Sequence, residues 1–311
     1  MLKVSDQEFL SAWDRLKSAA KVAKAFDMNV RSVYRRRKSL EGKIDRPLTS
    51  DDPRSPTFTV REHSPRVDCE LANGVIVVAS DAHYWPGIES TAHKAFVKVI
   101  DEIKPSIIVM NGDLFDGSSI SRFPRMGWGR TPTVKEELQA VSERLAEIEA
   151  VAGNASLWWT MGNHDMRFEA RLAQMVPEYE GVAGFTLKEH FPRWNHTISL
   201  FVNENLMIKH RFRNGVHATW NNTLYSGVSM CTGHLHRLQA TLFTDYKGTR
   251  WGIDTGTLAE IDGDHMHYGE DNPMNHCSGF AVLTMVDHNL IYPEFCSVHN
   301  EKAFFRGKLI E

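Results

Sequence analysis

Five short polar segments recur along this chain, each after a run that reads as a β-strand. Ser80-Asp81-Ala82-His83 follows Ile76-Val77-Val78-Ala79, and Asn111-Gly112-Asp113-Leu114-Phe115-Asp116 follows Ile107-Ile108-Val109-Met110. Gly162-Asn163-His164-Asp165 follows Leu157-Trp158-Trp159-Thr160-Met161, and His210 closes the run that begins Leu206-Met207-Ile208. Gly233-His234-Leu235-His236 completes the series. Short apolar runs rich in β-branched residues suit strands covered on both faces. A polar residue just past such a strand stands at the carboxyl edge of a sheet, where α/β proteins bind ligands. Asp, His and Asn delivered there repeatedly can converge, and their donors suit a divalent metal.

With 311 residues, 42% of them hydrophobic, the chain can bury a substantial core in one large domain or two smaller ones. Cys69, Cys231, Cys277 and Cys296 show no C-x-x-C spacing and read as ordinary thiols, not a zinc knuckle. The first residues carry no apolar signal core, and no apolar run approaches the roughly 20 residues that cross a bilayer. The expectation is a soluble, cytoplasmic protein without a membrane partner.

Charge divides the chain. Residues 1–45 hold 11 Lys+Arg against 6 Asp+Glu, which leaves that segment at +5 and the remainder at −8. Ser5-Asp6-Gln7-Glu8 is a capping-box pattern, followed by Phe9, Trp13 and Leu16 at helical spacing. A second short helix fits residues 19–25, and Asn29 can cap a third from Val30 to about Leu40, carrying Arg31, Arg35, Arg36 and Arg37. Two short helices, a tight turn and a basic last helix predict a helix-turn-helix over residues 1–45, similar to the small modules of bacterial and phage DNA-binding proteins. Residues 46–70, with Pro47, Pro53, Pro56 and Pro65, have linker composition. Residues 71–311 then alternate strands with helices, the clearest helix being 134–151 with Leu138, Val141, Leu145 and Ile148 on one face. Beyond residue 195 the pattern turns to strands and loops.

The ordered set D-x-H, G-D-x-x-D, G-N-H-D, a strand-end His and G-H-x-H resembles the calcineurin-like metallophosphoesterase superfamily over roughly residues 74–260. The resemblance implies an α/β fold: a two-sheet β-sandwich flanked by helices, here behind a small all-α module. It implies two divalent metal ions, with manganese expected and iron or zinc as alternatives. Asp81, His83 and His236 would hold the first ion, Asp113 would bridge, and Asn163, His210 and His234 would hold the second. His164 would act on the leaving oxygen and Asp116 would orient it, while Asp165 is structural or supports a ligand. His210 is followed by Arg211 where the family usually has Gly, which leaves His217 and His196 as alternatives. The cluster Asp262-Gly263-Asp264-His265-Met266-His267 reads as a loop at the mouth of the site. His63, His93, His276, His288 and His299 read as core or surface residues.

The Ser/Thr protein phosphatases of the superfamily carry Arg where this chain has Gly117, and Arg before Gly-Asn-His where it has Met161. The wording Gly-Asp-Leu-Phe-Asp with Gly-Asn-His-Asp is similar to its double-strand-break-repair nucleases. The basic third helix and the segment with Arg122, Phe123, Arg125, Trp128 and Arg130 suit phosphate contact and base stacking. The leading expectation is therefore a metal-dependent phosphodiesterase acting on DNA, a nuclease tethered by its helix-turn-helix. The alternatives are a small-nucleotide phosphodiesterase or phosphatase, and a DNA-binding regulator with a vestigial phosphoesterase domain.

Overall fold

The computed structural model describes residues 4–44, 46, 48–50, 57–60, 66–123, 128, 130–261 and 275–311. The chain divides into two compact units, Met1–Thr57 and Phe58–Glu311.

The first unit holds three helices: α1 (Asp6–Leu16), α2 (Ala19–Ala25) and α3 (Val30–Ile44). Ser5 and Glu8 form the expected capping box. Phe9, Trp13, Val22, Ala23, Val33 and Leu40 bury their side chains together. The turn before α3 uses Asp27 at φ 48°, and Asn29 Oδ1 accepts the N–H of Arg31 at 2.9 Å. The helix continues past Leu40 because Glu41 has two tasks: its Oε1 accepts Arg37 Nε at 2.9 Å and the N–H of Leu48 at 2.7 Å. Leu48 is buried and Trp13 Nε1 donates to Thr49 O, so residues expected in the linker pack onto the helices.

The second unit contains two sheets. One runs, edge to edge, through Thr57–Val60 (β1), Arg66–Glu70 (β2), Ser199–Val202 (β7), Leu206–Lys209 (β8), Ser229–Thr232 (β9), Gly248–Thr255 (β11) and Leu238–Asp245 (β10). The other runs through Lys308–Leu309 (β16), Lys302–Phe305 (β15), Glu294–His299 (β14), Gly279–Val286 (β12), Gly74–Ala79 (β3), Ile107–Met110 (β4), Ser156–Thr160 (β5) and Asn195–Thr197 (β6). Asn289–Leu290 (β13) adds to β12. The strands β1 and β2 fall inside the stretch read as linker. Short alternation hid β2: Cys69 is buried and Val67 packs against the core, while the single residue between them is Asp68.

The helices of this unit are α4 (Thr91–Ile103), α5 (Val134–Val151), α6 (Met166–Met175), α7 (Leu187–His190) and α8 (Ala218–Ser226). Ile76, Val78, Ile107 and Val109 pack with Leu200, Ile208, Cys231 and Ile253 of the other sheet. Val77, Ala79, Ile108 and Met110 point the opposite way, onto Phe96, Val99, Val141 and Ile148 of α4 and α5. Covering on both faces accounts for the uninterrupted apolar runs. No described helix is long and apolar enough to cross a membrane.

Candidate metal centre

Parallel registers bring the motifs together. Ala79 pairs with Met110 and Met110 with Trp159, so the segments after β3, β4 and β5 leave from one sheet edge. In the second sheet Ile208 pairs with Cys231, so His210 and His234 leave side by side. Backbone hydrogen bonds join the exits: Asp81 N–H to Gly112 O, His83 N–H to Asp113 O and Gly233 N–H to His210 O, each at 2.9 Å. His210 Nδ1 donates to Asn111 O at 2.8 Å and ties one sheet to the other.

Three overlapping donor groups result: Asp81 with His83 and His236, Asp113 with His210 and His234, and His83 with Asp116 and His164. Asp81, His83, Asp113, His234 and His236 all have positive φ, between 39° and 72°. That much unfavourable backbone in one place is held by the surrounding packing and marks a functional site. Three motif glycines make room for these groups. A Cβ on Gly112 would stand 2.5 Å from His210 Nδ1, and one on Gly162 would stand 2.1 Å from Asp113 Oδ1. One on Gly233 would stand 2.5 Å from Asp81 Oδ2.

The donor set fits a pair of divalent cations. Asp81 Oδ1, Asn163 Oδ1, His210 Nε2 and His236 Nδ1 are buried and make no hydrogen bond. Buried polar atoms need partners, and orphaned donors within two carboxylate–imidazole groups fit cations. His210 Nε2 lies 3.0 Å from Asp113 Oδ2 without hydrogen-bond geometry, and its Nδ1 proton goes to Asn111, so the Nε2 lone pair is open to a metal. Burial would lower the His210 pKa, but the charges of Asp113 and Asp81 override it and carry it up to about 10. Those carboxylates attract positive charge strongly, whether a proton or a cation. His210 thus stands beside Asp113 and His234 in one donor group. His217 is exposed, and His196 stacks on Trp159 with its Nδ1 3.4 Å from Met161 Sδ.

Asp116 serves two histidines. Its Oδ1 accepts His164 Nδ1–H at 2.8 Å, as expected, and also His83 Nδ1–H at 2.9 Å. Burial opposes its charge, yet these two hydrogen bonds hold its carboxyl far below the usual range. The second bond leaves His83 Nε2 for a metal, the support that ligating histidines commonly have. His164 Nε2 accepts from Arg167 Nη2 at 3.0 Å. Asp165 is structural. Its Oδ2 accepts the N–H groups of Asp113 and Gly162 at 2.8 Å and Trp159 Nε1–H at 2.9 Å. Its Oδ1 accepts the N–H groups of Leu114 at 3.0 Å and Phe115 at 3.1 Å.

Two residues near the site gave no signal in the sequence. Glu137 on α5 accepts the N–H groups of Gly117 and Ser118 and so anchors the loop behind Asp116. His276, read as unpartnered, stacks on His236 with ring centres 4.5 Å apart, and burial and His236 lower its pKa to about 4. His93 is a core residue between Tyr84 and Glu147.

The expected nucleic-acid contacts fare unevenly. On α3, Arg31 and Arg35 are exposed. Arg36 and Arg37 are not available as expected: Arg36 bonds Val4 O and Asp6 and covers Phe9, while Arg37 pairs with Glu41 over Trp13. Phe9 and Trp13 turn these two side chains inward by offering ring faces to the guanidinium groups. Arg122 lies over Phe123, Trp128 is exposed, and Arg130 pairs with Glu136 in the capping box of α5. Arg125 and the cluster of Asp262, Asp264, His265 and His267 lie outside the described residues, as does His63.

Two sheets meeting at a carboxylate- and imidazole-lined edge, with paired donor groups, define a metal-dependent phosphoester hydrolase. The chain belongs to the calcineurin-like phosphoesterase family, whose pattern it matches over residues 74–253, more than half its length. No curated protein matches it in sequence. Similar solved structures include zinc-complexed Vps29 from Entamoeba histolytica, at 12% identity and TM-score 0.41, covering 76% of this chain and 99% of that one. The phosphoesterase YfcE from E. coli aligns at 14% identity and TM-score 0.34, over 70% of this chain and 97% of its own. A serine/threonine phosphatase from Saccharomyces cerevisiae aligns at 11% identity and TM-score 0.32, over 73% and 80%.

Proposed function

We propose that this protein is a dinuclear-metal phosphodiesterase acting on nucleic acid, a nuclease whose helix-turn-helix-like module holds it on DNA. The observation that carries the reading is a cationic, aromatic corner that continues directly from His210. Lys209 Nζ lies 5.5 Å from the Phe212 ring centre, and Arg213 lies 5.5 Å from Phe212 and 4.4 Å from Tyr225. Arg211 and Arg213 are exposed, as are Phe212 and Tyr225. Arg237, next to His236, donates to Gly215 O and Val216 O and pins this corner to the metal-site loop. Exposed rings interleaved with arginines suit stacked bases and a phosphodiester backbone.

Asp81, His83 and His236 would hold one ion, and Asn163, His210 and His234 the other, with Asp113 between them. Manganese is the expected metal; the donors also suit iron or zinc. When bound, two such cations supply Lewis acidity toward a phosphoryl group and acidify a water. The protein's own part is to fix the donors. Asp116 sets the protons of His83 and His164, and Asp165 holds the Asp113 loop.

The test is hydrolysis of end-labelled duplex and single-stranded DNA with manganese, beside Asp113→Ala. Cleavage by the wild type alone is expected. Hydrolysis of a simple aryl phosphoester without DNA cleavage would refute the nuclease reading and move the substrate to a small nucleotide. On α3, replacing Arg31 and Arg35 with Gln should weaken DNA binding and flatten its dependence on salt, because fewer counterions are released. An unchanged salt slope would make the module a protein-docking element.

A further inference from the structure

We propose that Arg167, on the first turn of α6, is a phosphate-binding residue of the catalytic site, and that His164 serves as its docking partner until substrate arrives. The proposal rests on the phosphoester chemistry of the site and not on the nucleic-acid reading.

The geometry is specific. Arg167 Nη1 donates to Asp116 O at 2.8 Å, and Nη2 donates to His164 Nε2 at 3.0 Å. His164 Nδ1 donates to Asp116 Oδ1, and the guanidinium of Arg167, which only donates, faces His164 Nε2, so in this arrangement Nε2 presents a lone pair. The donor at this edge of the site is therefore the guanidinium, not the imidazole. His164 itself packs edge-on to His83, ring centres 4.7 Å apart, so the guanidinium stands one side chain from a metal ligand.

The stem of Arg167 is placed as firmly as its head. Gly117 has φ 64°, and a Cβ there would stand 2.9 Å from Phe115 Cε1 and 3.3 Å from both Cβ and Cδ of Arg167. The missing side chain at 117 lets the Phe115 ring and the Arg167 stem close over the turn. Phe168, the next residue, is locked edge-on against Phe115. A guanidinium has five N–H donors, and the two bonds above occupy two of them. Among the described residues, the others have no hydrogen-bond partner. A fixed cationic fork with spare donors matches the oxygens of a phosphoryl group. An incoming phosphate dianion or diester is also a stronger acceptor than the neutral nitrogen of His164, so exchange of one for the other is favourable.

The test is calorimetric titration of the metal-loaded protein with inorganic phosphate, with metal content measured for every variant. Wild type, Arg167→Ala, Arg167→Lys, His164→Ala and the double variant His164→Ala/Arg167→Ala form the set. Loss of Arg167 should weaken phosphate binding roughly ten- to hundredfold, the effect of one charged hydrogen-bonding partner. Lysine should recover only part of it, since an ammonium has no fork. The loss should be just as large in the His164→Ala background. Three results would overturn the proposal: unchanged affinity in Arg167→Ala, a loss seen only when His164 is present, or loss of metal from Arg167→Ala. The second would make Arg167 a positioning residue for the imidazole, and the third a prop for the ligand loops. A metal-loaded wild type that binds no phosphate would fail the hydrolase reading itself, and is distinguishable from all three.

Discussion

Asp165 is buried and accepts five N–H groups from Asp113, Leu114, Phe115, Gly162 and the Trp159 indole. Burial and the charge of Asp113 push its carboxyl pKa upward, and the donors oppose that push. Asp165→Asn changes almost no volume but turns one acceptor oxygen into a donor. If Oδ1 becomes the amide nitrogen, two N–H groups lose their acceptor; if Oδ2 does, three lose it. At about 1–3 kcal/mol for each buried unsatisfied group, the cheaper orientation costs about 2–6 kcal/mol. For a domain of this size that corresponds to a fall in Tm of about 5–20 °C. The segment released is the one that carries Asp113, so metal retention should fall as well. The assay is thermal unfolding of the metal-free protein followed by circular dichroism, with metal content after reloading measured separately. A variant within about 2 °C of wild type would refute the view that Asp165 is the main anchor of this loop.

Gly162→Ala should abolish metal binding and hydrolysis, because the added Cβ would meet Asp113 Oδ1 at 2.1 Å and Asp113 N at 2.5 Å; normal metal content would show that the loop yields cheaply. Glu137 offers a pH test. Burial raises its pKa from 4.5 to about 7, partly offset by the Ser118 hydroxyl. An acid whose pKa is raised on folding favours the folded state below its unfolded value and loses that contribution as pH rises through the folded one, here between 4.5 and about 7. Wild-type stability should therefore fall by about 3 kcal/mol across that window relative to Glu137→Gln. Parallel stability profiles from pH 4 to 8 would refute the assignment.

The candidate ligands were legible in the sequence because each lies within a few residues of a strand end, and parallel register brings those ends together. Asp81 and Asp113 need only Ala79 to pair with Met110. Residues that act across the fold left no such trace. Asp165 collects donors from two loops and a strand, and nothing in Gly-Asn-His-Asp separates that work from metal ligation. The helix α8 escaped because its buried face is polar: Thr219 Oγ1 meets Thr241 Oγ1 at 2.6 Å, and Asn222 Nδ2 meets Thr232 Oγ1 at 3.3 Å. A helix seated on a sheet by hydroxyls and an amide shows no apolar period. Arg36 and Arg37 look like DNA contacts in one dimension, and become clasps over Phe9 and Trp13 once α1 lies against α3.

The missing arginine at position 117 is a poor guide to chemistry for the same physical cause. A motif records which residue type stands at a position, whereas a site requires a charge at a place. Gly117 supplies no guanidinium, but its bare Cα lets the Phe115 ring and the stem of Arg167 approach the turn. Arg167 Nη1 returns to the backbone carbonyl of Asp116, the residue just before that glycine. Gly117→Ala should strain this turn at φ 64°, press on Phe115 Cε1 and crowd the stem of Arg167, while none of the three nearest atoms belongs to a candidate metal ligand. The variant should keep its metal and lose affinity for inorganic phosphate to about the same extent as Arg167→Ala, roughly tenfold or more. A Gly117→Ala protein with wild-type phosphate affinity would mean that this turn does not hold the arginine in place.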